Sequence, residues 1–360
     1  MTATERFAAQ LLEAGARGYA ALAVSTLLER RPDLETLDGA QSAGAWRAHL
    51  VQRILELQTS VSLGRPHLFV ERVRWSRRAY HARNVPEDQL HDALQSLRET
   101  LAEELPPNVG PEVLDTLDRA LADFERPVDP EERELDPESA LGRQALLYLL
   151  STLEGRTRDA IDALLAARRD DEIPLRSCVL DILVPAQREI GRLWHLGDSD
   201  IAEEHLVTAT TKRALAALAY SAPAAPANGM RLMTAAVEGD DHDVGGQALS
   251  VLAEDLGWRT VDLGADVPTP DLVSARIAFT PEVVVVSATL STHLTVLERS
   301  VRALRAEAGG DVKIVVAGAA AANDTDLPLS WGADAVVDSV EGAIRQLEAW
   351  TPEEGGASSD

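Results

Sequence analysis

MRLMTAAVEGDDHDVGG, from Met230 to Gly246, is the stretch that decides the fold. Its apolar run stops in an acidic, glycine-containing loop and then gives way to helical spacing. The same grammar recurs in TVDLGA (260–265), EVVVVSA (282–288), KIVVAGA (313–319) and ADAVVDS (333–339). Short apolar runs alternating with helices predict a parallel sheet with right-handed crossovers and helices on both faces. We therefore expect a flavodoxin- or Rossmann-like domain over residues 230–350. Ligands of such sheets lie beyond the carboxyl ends of the strands. Four segments fall at that edge: Asp240–Gly246, Gly264–Asp266, Ser287–Ser291 and the pair Gly318, Ala319. Small residues there let backbone approach a ligand closely.

In the first of these loops a histidine at 242 can offer one ring nitrogen to a metal while the Asp240 carboxylate holds the other. Taken alone, His242 reads equally well as a surface-loop histidine. The loop lacks the G-x-G-x-x-G spacing of dinucleotide sites and has no Walker lysine; the chain's two lysines are Lys212 and Lys313. The rest of the rim adds to the pattern. Forty-one residues separate Gly245 from Ser287, and Gly318 follows the next apolar run. Together these resemble the D-x-H-x-x-G, S-x-L and G-G signature of base-off, histidine-on cobalamin-binding domains. Thr289 stands where that signature has leucine, and Ala319 where it has its second glycine. The resemblance implies that His242 is the lower cobalt ligand, that Asp240 orients it, and that Ser287 and Gly318 line the cleft for the nucleotide tail. Val244, Gly245, Gly264, Thr289, Ser291 and Ala319 complete the implied cofactor set.

Working back along the chain, SAPAAPANG (221–229) reads as a linker, and residues 139–221 carry helical periodicity broken near Gly155 and Pro174. Four short-looped helices predict an antiparallel bundle. Its last two helices flank HLGDSD, 195–200. Trp194 and Glu204 are separated by nine residues, and His205 follows. By itself Trp194 is compatible with core packing and the Glu-His pair with a solvated helix start. Beside the downstream domain, the segment resembles the W-x9-E-H signature of light-sensing cobalamin regulators of the CarH type. That likeness implies a bundle capping 5′-deoxyadenosylcobalamin, with Trp194, Glu204 and His205 around the adenosyl group. It also implies His195 as an upper cobalt ligand once light has removed that group.

Residues 1–124 show helical spacing, as in Leu50–Leu57 and Leu90–Leu101, punctuated by Pro66, Pro86 and Pro106-Pro107. Five or so helices and no strand are expected. An acidic, proline-rich linker follows at 125–138, and a disordered tail is expected at 351–360. CarH-type repressors begin with a winged-helix DNA reader; no such pattern is found here. In domain order, length and helical character the segment is similar to the globin-like sensor module of photocobilins, which implies biliverdin. HLFVERVRWSRRAYHAR (67–83) supplies His67, Arg72, Trp75, Arg77, Arg78, Tyr80 and His81 as candidate bilin contacts. A tetrapyrrole needs an apolar slot and cations for its propionates. The same residues also fit a solvated helix face. The single cysteine, Cys178, lies in the other helical region, so the bilin is expected to be non-covalent.

Composition limits the alternatives. With 59 acidic against 34 basic residues the formal charge is −25, which disfavours broad contact with phosphate backbones. One cysteine excludes an internal disulfide and a cysteine-built zinc site. No signal peptide and no membrane span are expected, so a cytoplasmic protein is. The overall expectation is a non-catalytic photoreceptor: globin-like domain, four-helix cap and cobalamin sheet. Its output would be light-dependent homo-oligomer assembly or contact with a separate effector, with no direct nucleic-acid or membrane partner. A corrinoid methyl carrier and a light-independent cobalamin sensor are the rivals.

Overall fold

The structure is a computed structural model describing residues 3–36, 42–129, 132–170, 173–221 and 225–351. The expected disordered tail lies, from residue 352, outside the described residues, as do parts of both linkers. The chain divides into two compact units, 1–131 and 132–360.

Among its described residues the first unit is wholly helical. It comprises α1 (Ala3–Arg30), a single turn α2 (Asp33–Thr36), α3 (Ser42–Leu63), α4 (Pro66–Ala82), α5 (Glu87–Glu104) and α6 (Gly110–Ala122). Prolines set the boundaries. Pro66 and Pro111 sit in first turns, where a missing N–H costs nothing, and Pro86 is the N-cap of α5. Leu50, Ile54 and Leu57 on α3 and Leu90, Leu94, Leu97 and Leu101 on α5 repeat at helical spacing. All are fully buried, in one core with Leu12, Leu27, Phe69 and Leu117.

The second unit opens with α7 (Ala140–Leu153), capped by Ser139, and α8 (Thr157–Asp170). The next helix starts as α9 (Leu175–Ser177), widens into a π segment at Cys178–Leu183 and continues as α10 (Val184–Leu196). Pro185 explains the widening. It lacks an N–H, and its ring would strike the carbonyl four residues earlier, so the preceding turn opens. Gly197, with φ +86°, stops α10, and a capping box of Asp200 with Glu203 starts α11 (Ile201–Ala219).

The sheet follows: β1 (Arg231–Ala236), α12 (Val244–Asp255), β2 (Arg259–Asp262), α13 (Thr269–Phe279) and β3 (Val283–Ser287). It continues through α14 (Leu294–Ala308), β4 (Lys313–Ala317), α15 (Ala319–Ala322), α16 (Asp326–Trp331), β5 (Ala335–Val337) and α17 (Val340–Trp350). All pairings are parallel, in the order β2-β1-β3-β4-β5. The five apolar runs are thus the five strands of a Rossmann-like sheet. Leu232, Val283, Val285 and Val315 alternate along the strands to one face, where they join α12, α17 and the bundle in a single core. The other face carries Met233, Val284, Val286 and Val316, all buried. This strand order reverses direction between β1 and β3, which opens a crevice there at the carboxyl edge.

Candidate functional site

The site is built on that crevice. Past β1 the chain turns at Gly239 (φ +85°) and drives the Asp240 side chain inward, where it is 0% exposed. A buried carboxylate must be satisfied by donors. Oδ1 accepts from His242 Nδ1 at 2.7 Å and from the His242 amide at 3.2 Å; Oδ2 accepts from the Thr289 amide at 2.6 Å. The β1 loop and the β3 loop are therefore clamped by one side chain. Thr289, where the signature residue is leucine, contributes through its backbone, a contact that does not depend on the side chain. Burial by itself raises the Asp240 carboxyl, but hydrogen bonds from His242 and the Thr289 amide, with the His293 imidazole close by, outweigh it and hold the group well below the usual carboxylate range. His242 is raised in turn, first by its hydrogen bond to Asp240, against desolvation, with further contributions from the charges of Asp240, Glu204 and Asp241.

The His242 side chain remains 57% exposed. With Nδ1 committed to Asp240, Nε2 is the nitrogen left to a metal. Around it the rim is bare. A Cβ at Gly245 would meet nothing within 4 Å, and Val244 packs back into the core at the start of α12. Gly264 has φ +76° and lies against Asp243. Ser287 is half-buried at the end of β3, Ala319 is exposed, and the buried Ser291 Oγ has no hydrogen-bond partner. Gly318 is a different case. Its φ is +98°, and a Cβ there would stand 2.3 Å from the Ala288 carbonyl oxygen. We expect Gly318→Val to cost on the order of 3 kcal/mol by combining backbone strain with a backbone collision. Urea unfolding followed at the sheet checks this, and an unchanged midpoint would contradict it.

The bundle reaches the same rim. Lys212 of α11 pairs with Asp243 at 2.5 Å, one residue past His242. At the start of α11, Glu204 accepts from Thr208 at 2.7 Å and stands 2.7 Å from His205 Nδ1, and its charge is felt at His242. Gln187 of α10 extends the chain through Thr208 at 2.6 Å. Trp194 is 37% exposed on the last turn of α10, while His195 is buried. The fold thus brings Glu204 and His242, 38 residues apart in sequence, to one edge.

In the helical unit, the candidate bilin segment is α4. His67 and His81 are exposed. Arg72 lies over Trp75 at 4.3 Å and contacts Glu56 at 3.3 Å. Arg77 is buried. It donates to Glu87 at 2.8 Å, to the Asp123 carbonyl at 2.7 Å and to the Arg126 carbonyl at 2.9 Å. The guanidinium thus ties α4 to the segment after α6. Tyr80 is raised by burial, and Arg78 Nε is buried without a hydrogen-bond partner. Sequence reading missed a polar cluster on α3. Arg53 is buried and paired with Glu56 at 2.9 Å and Ser76 at 2.9 Å, and Arg53 Nε and His49 Nε2 have no hydrogen-bond partner. It also missed His293 and Lys212.

Residues 230–348 match the family model described as the B12 binding domain, and 148–219 match a second B12 binding domain model. The chain carries B12-binding domains. It is 27% identical over 186 residues to the HTH-type transcriptional repressor CarH of Myxococcus xanthus, covering 51% of this chain and 60% of that one. Against the HTH-type transcriptional repressor CarA of the same organism it is 37% identical over 106 residues, covering 29% and 34%. Against the dimethylamine corrinoid protein 3 of Methanosarcina acetivorans it is 23% identical over 216 residues, covering 55% and 98%. The chain thus spans between about a third and three fifths of the two repressors. A corrinoid is the cofactor these domains indicate, and the rim fits it: an outward imidazole nitrogen, an orphaned buried hydroxyl at Ser291 and a backbone cradle at Gly318. No helix among the described residues is long and apolar enough to cross a membrane.

Proposed function

We propose that the chain is a light-sensing photoreceptor that takes 5′-deoxyadenosylcobalamin between its four-helix bundle and its sheet. It answers light by changing conformation or assembly and catalyses no reaction. The observation that carries this reading is the convergence of the W-x9-E-H segment on the histidine loop, through Glu204 and through the Lys212–Asp243 pair. Bound adenosylcobalamin supplies a cobalt–carbon bond that visible light breaks. His242, oriented by Asp240, would hold the cobalt, and Trp194, Glu204 and His205 would flank the adenosyl group, the large aromatic favouring a bulky occupant over a methyl. His195, buried beside the Gly197 turn, would be the nitrogen donor available once that group has left. Similarity to the dimethylamine corrinoid protein, spanned over nearly its whole length, supports the rival methyl carrier.

The helical unit is assigned, as a globin-like module, to non-covalent biliverdin. Orphaned polar atoms of His49, Arg53 and Arg78 in the helical unit support a polar-edged ligand there. The output is a light-dependent homo-oligomer or a contact with a separate effector.

The test is an absorption spectrum of the full chain, produced with both cofactors, before and after illumination. Wild type is expected to change from an adenosyl to a bis-histidine spectrum with altered assembly. His195→Ala is expected to bleach as well but to end with water in place of the second histidine. A spectrum indifferent to light removes the photoreceptor reading, and methyl exchange with a methyltransferase replaces it by the carrier. A full-length protein without a red-absorbing complex removes biliverdin.

A further inference from the structure

His293 closes the short turn Ser291–His293 at the head of α14, anchored by the fully buried Leu294. Its Nδ1 is buried, lacks a hydrogen-bond partner and points at Asp240 Oδ2 from 3.8 Å. Gly239, on the other side, leaves its Nε2 room: a Cβ there would stand 3.6 Å away. The one carboxylate that orients His242 is thus faced by two histidines, one on each oxygen.

We propose that His293 is a residue that acts on the cobalt ligand through Asp240, weakening the hold of the shared carboxylate on His242. The inference rests on the corrinoid reading of the site. Asp240 does not need His293 for its orientation. Oδ1 is fixed by two donors of His242 and Oδ2 by the Thr289 amide, and the side chain is fully buried. What remains for His293 is electrostatic. A small rotation closes 3.8 Å to hydrogen-bond distance, or one water bridges it. Either arrangement draws negative charge toward Oδ2 and away from the oxygen that accepts from His242 Nδ1. A carboxylate that is a poorer acceptor makes the imidazole a poorer donor to cobalt at Nε2. His293 therefore holds the lower ligand in a state from which it can be released.

The direction of the effect separates this role from a structural one. With His293→Leu, the apo protein labelled with 15N-histidine should show the His242 Nδ1–H proton moved downfield, as the carboxylate becomes a stronger acceptor. Loaded with cob(II)alamin, the same variant should raise the ratio of histidine-on to histidine-off cobalt by about threefold, read from nitrogen coupling in the electron paramagnetic resonance spectrum. His293→Gln, which keeps a donor toward Asp240, should restore both readouts toward wild type, and it serves as the reference if the leucine variant does not fold. A fall in the histidine-on ratio would make His293 a structural support, and an unmoved proton in the apo variants would leave it no role through Asp240; either result overturns the proposal. If the wild type takes up no cobalamin, the site reading fails, and the apo proton still decides whether His293 acts on His242.

Discussion

His242→Ala should bind cobalamin at least about a hundredfold more weakly and give a spectrum without a protein nitrogen on cobalt. The size follows from the geometry. In the β1 loop His242 combines an outward ring nitrogen with a fully buried carboxylate fixed behind the ring, whereas the neighbouring His293 faces Asp240 instead. Titration of the full chain with hydroxocobalamin, read by absorption, checks both parts. An unchanged histidine-on spectrum in the variant would remove the assignment. A residue that only orients His242 would cost less on removal, so sequence alone makes Asp240→Ala the milder change. The structure raises that expectation. Asp240 also accepts from the Thr289 amide at 2.6 Å, so its loss leaves a buried donor unsatisfied and unclamps the β1 loop from the β3 loop. Asp240→Asn should be milder, because it retains an acceptor oxygen.

The sheet was legible because its strands are short, apolar and regularly interrupted, a pattern that survives without any knowledge of partners. The same holds for Asp240 and His242, whose contact is local: two residues apart in one loop, they meet through a turn that Gly239 permits. His293 was not legible. Its neighbourhood to Asp240 depends on β3 lying beside β1, and a run of βα units does not announce its strand order. Lys212 escaped for a similar reason. Its partner Asp243 is on another element, and nothing in the helical periodicity of α11 distinguishes a lysine that reaches a sheet loop from one that faces water. On α4 it was the partners of the arginines that escaped. Arg77 and Arg74 pair with Glu87 and Asp123 from elements that follow in the chain. Asp123 lies 46 residues from Arg77, beyond the reach of any local pattern. The α3 cluster was hidden because His49, Arg53 and Glu56 have ordinary surface spacing, and only the packing of α4 against α3 encloses them.

That enclosed cluster makes the helical unit sensitive to pH. Lowering the pH from 6.5 to 4.5 should destabilise the helical unit through His49. Its Nε2 is enclosed and has no hydrogen-bond partner, so burial, reinforced by the charge of Arg53, pushes the imidazole down to about 3. In the unfolded chain the same group titrates near 6.5. Between those values the unfolded state binds a proton that the folded state refuses, so stability is full above about 6.5 and falls as the pH drops toward 3. Each pH unit in that window is worth at most about 1.4 kcal/mol. His49 as a whole is half-buried, which screens it, so about 1–2 kcal/mol over the two units is the expected loss. Carboxylates with lowered values keep most of their charge through this window, and their contribution is common to both proteins in the comparison. His49→Phe keeps the flat ring edge-on to Trp46, now 5.6 Å from the imidazole, and removes the titrating nitrogen. Because the chain has two units, the measurement is hydrogen exchange of α3 and α4 amides rather than a single melting curve. Wild type should lose protection between pH 6.5 and 4.5, after correction for intrinsic exchange, while His49→Phe should keep it. Parallel losses in the two proteins would mean that the imidazole is reachable by protons in the folded state and that the cluster on α3 is more open than its packing implies.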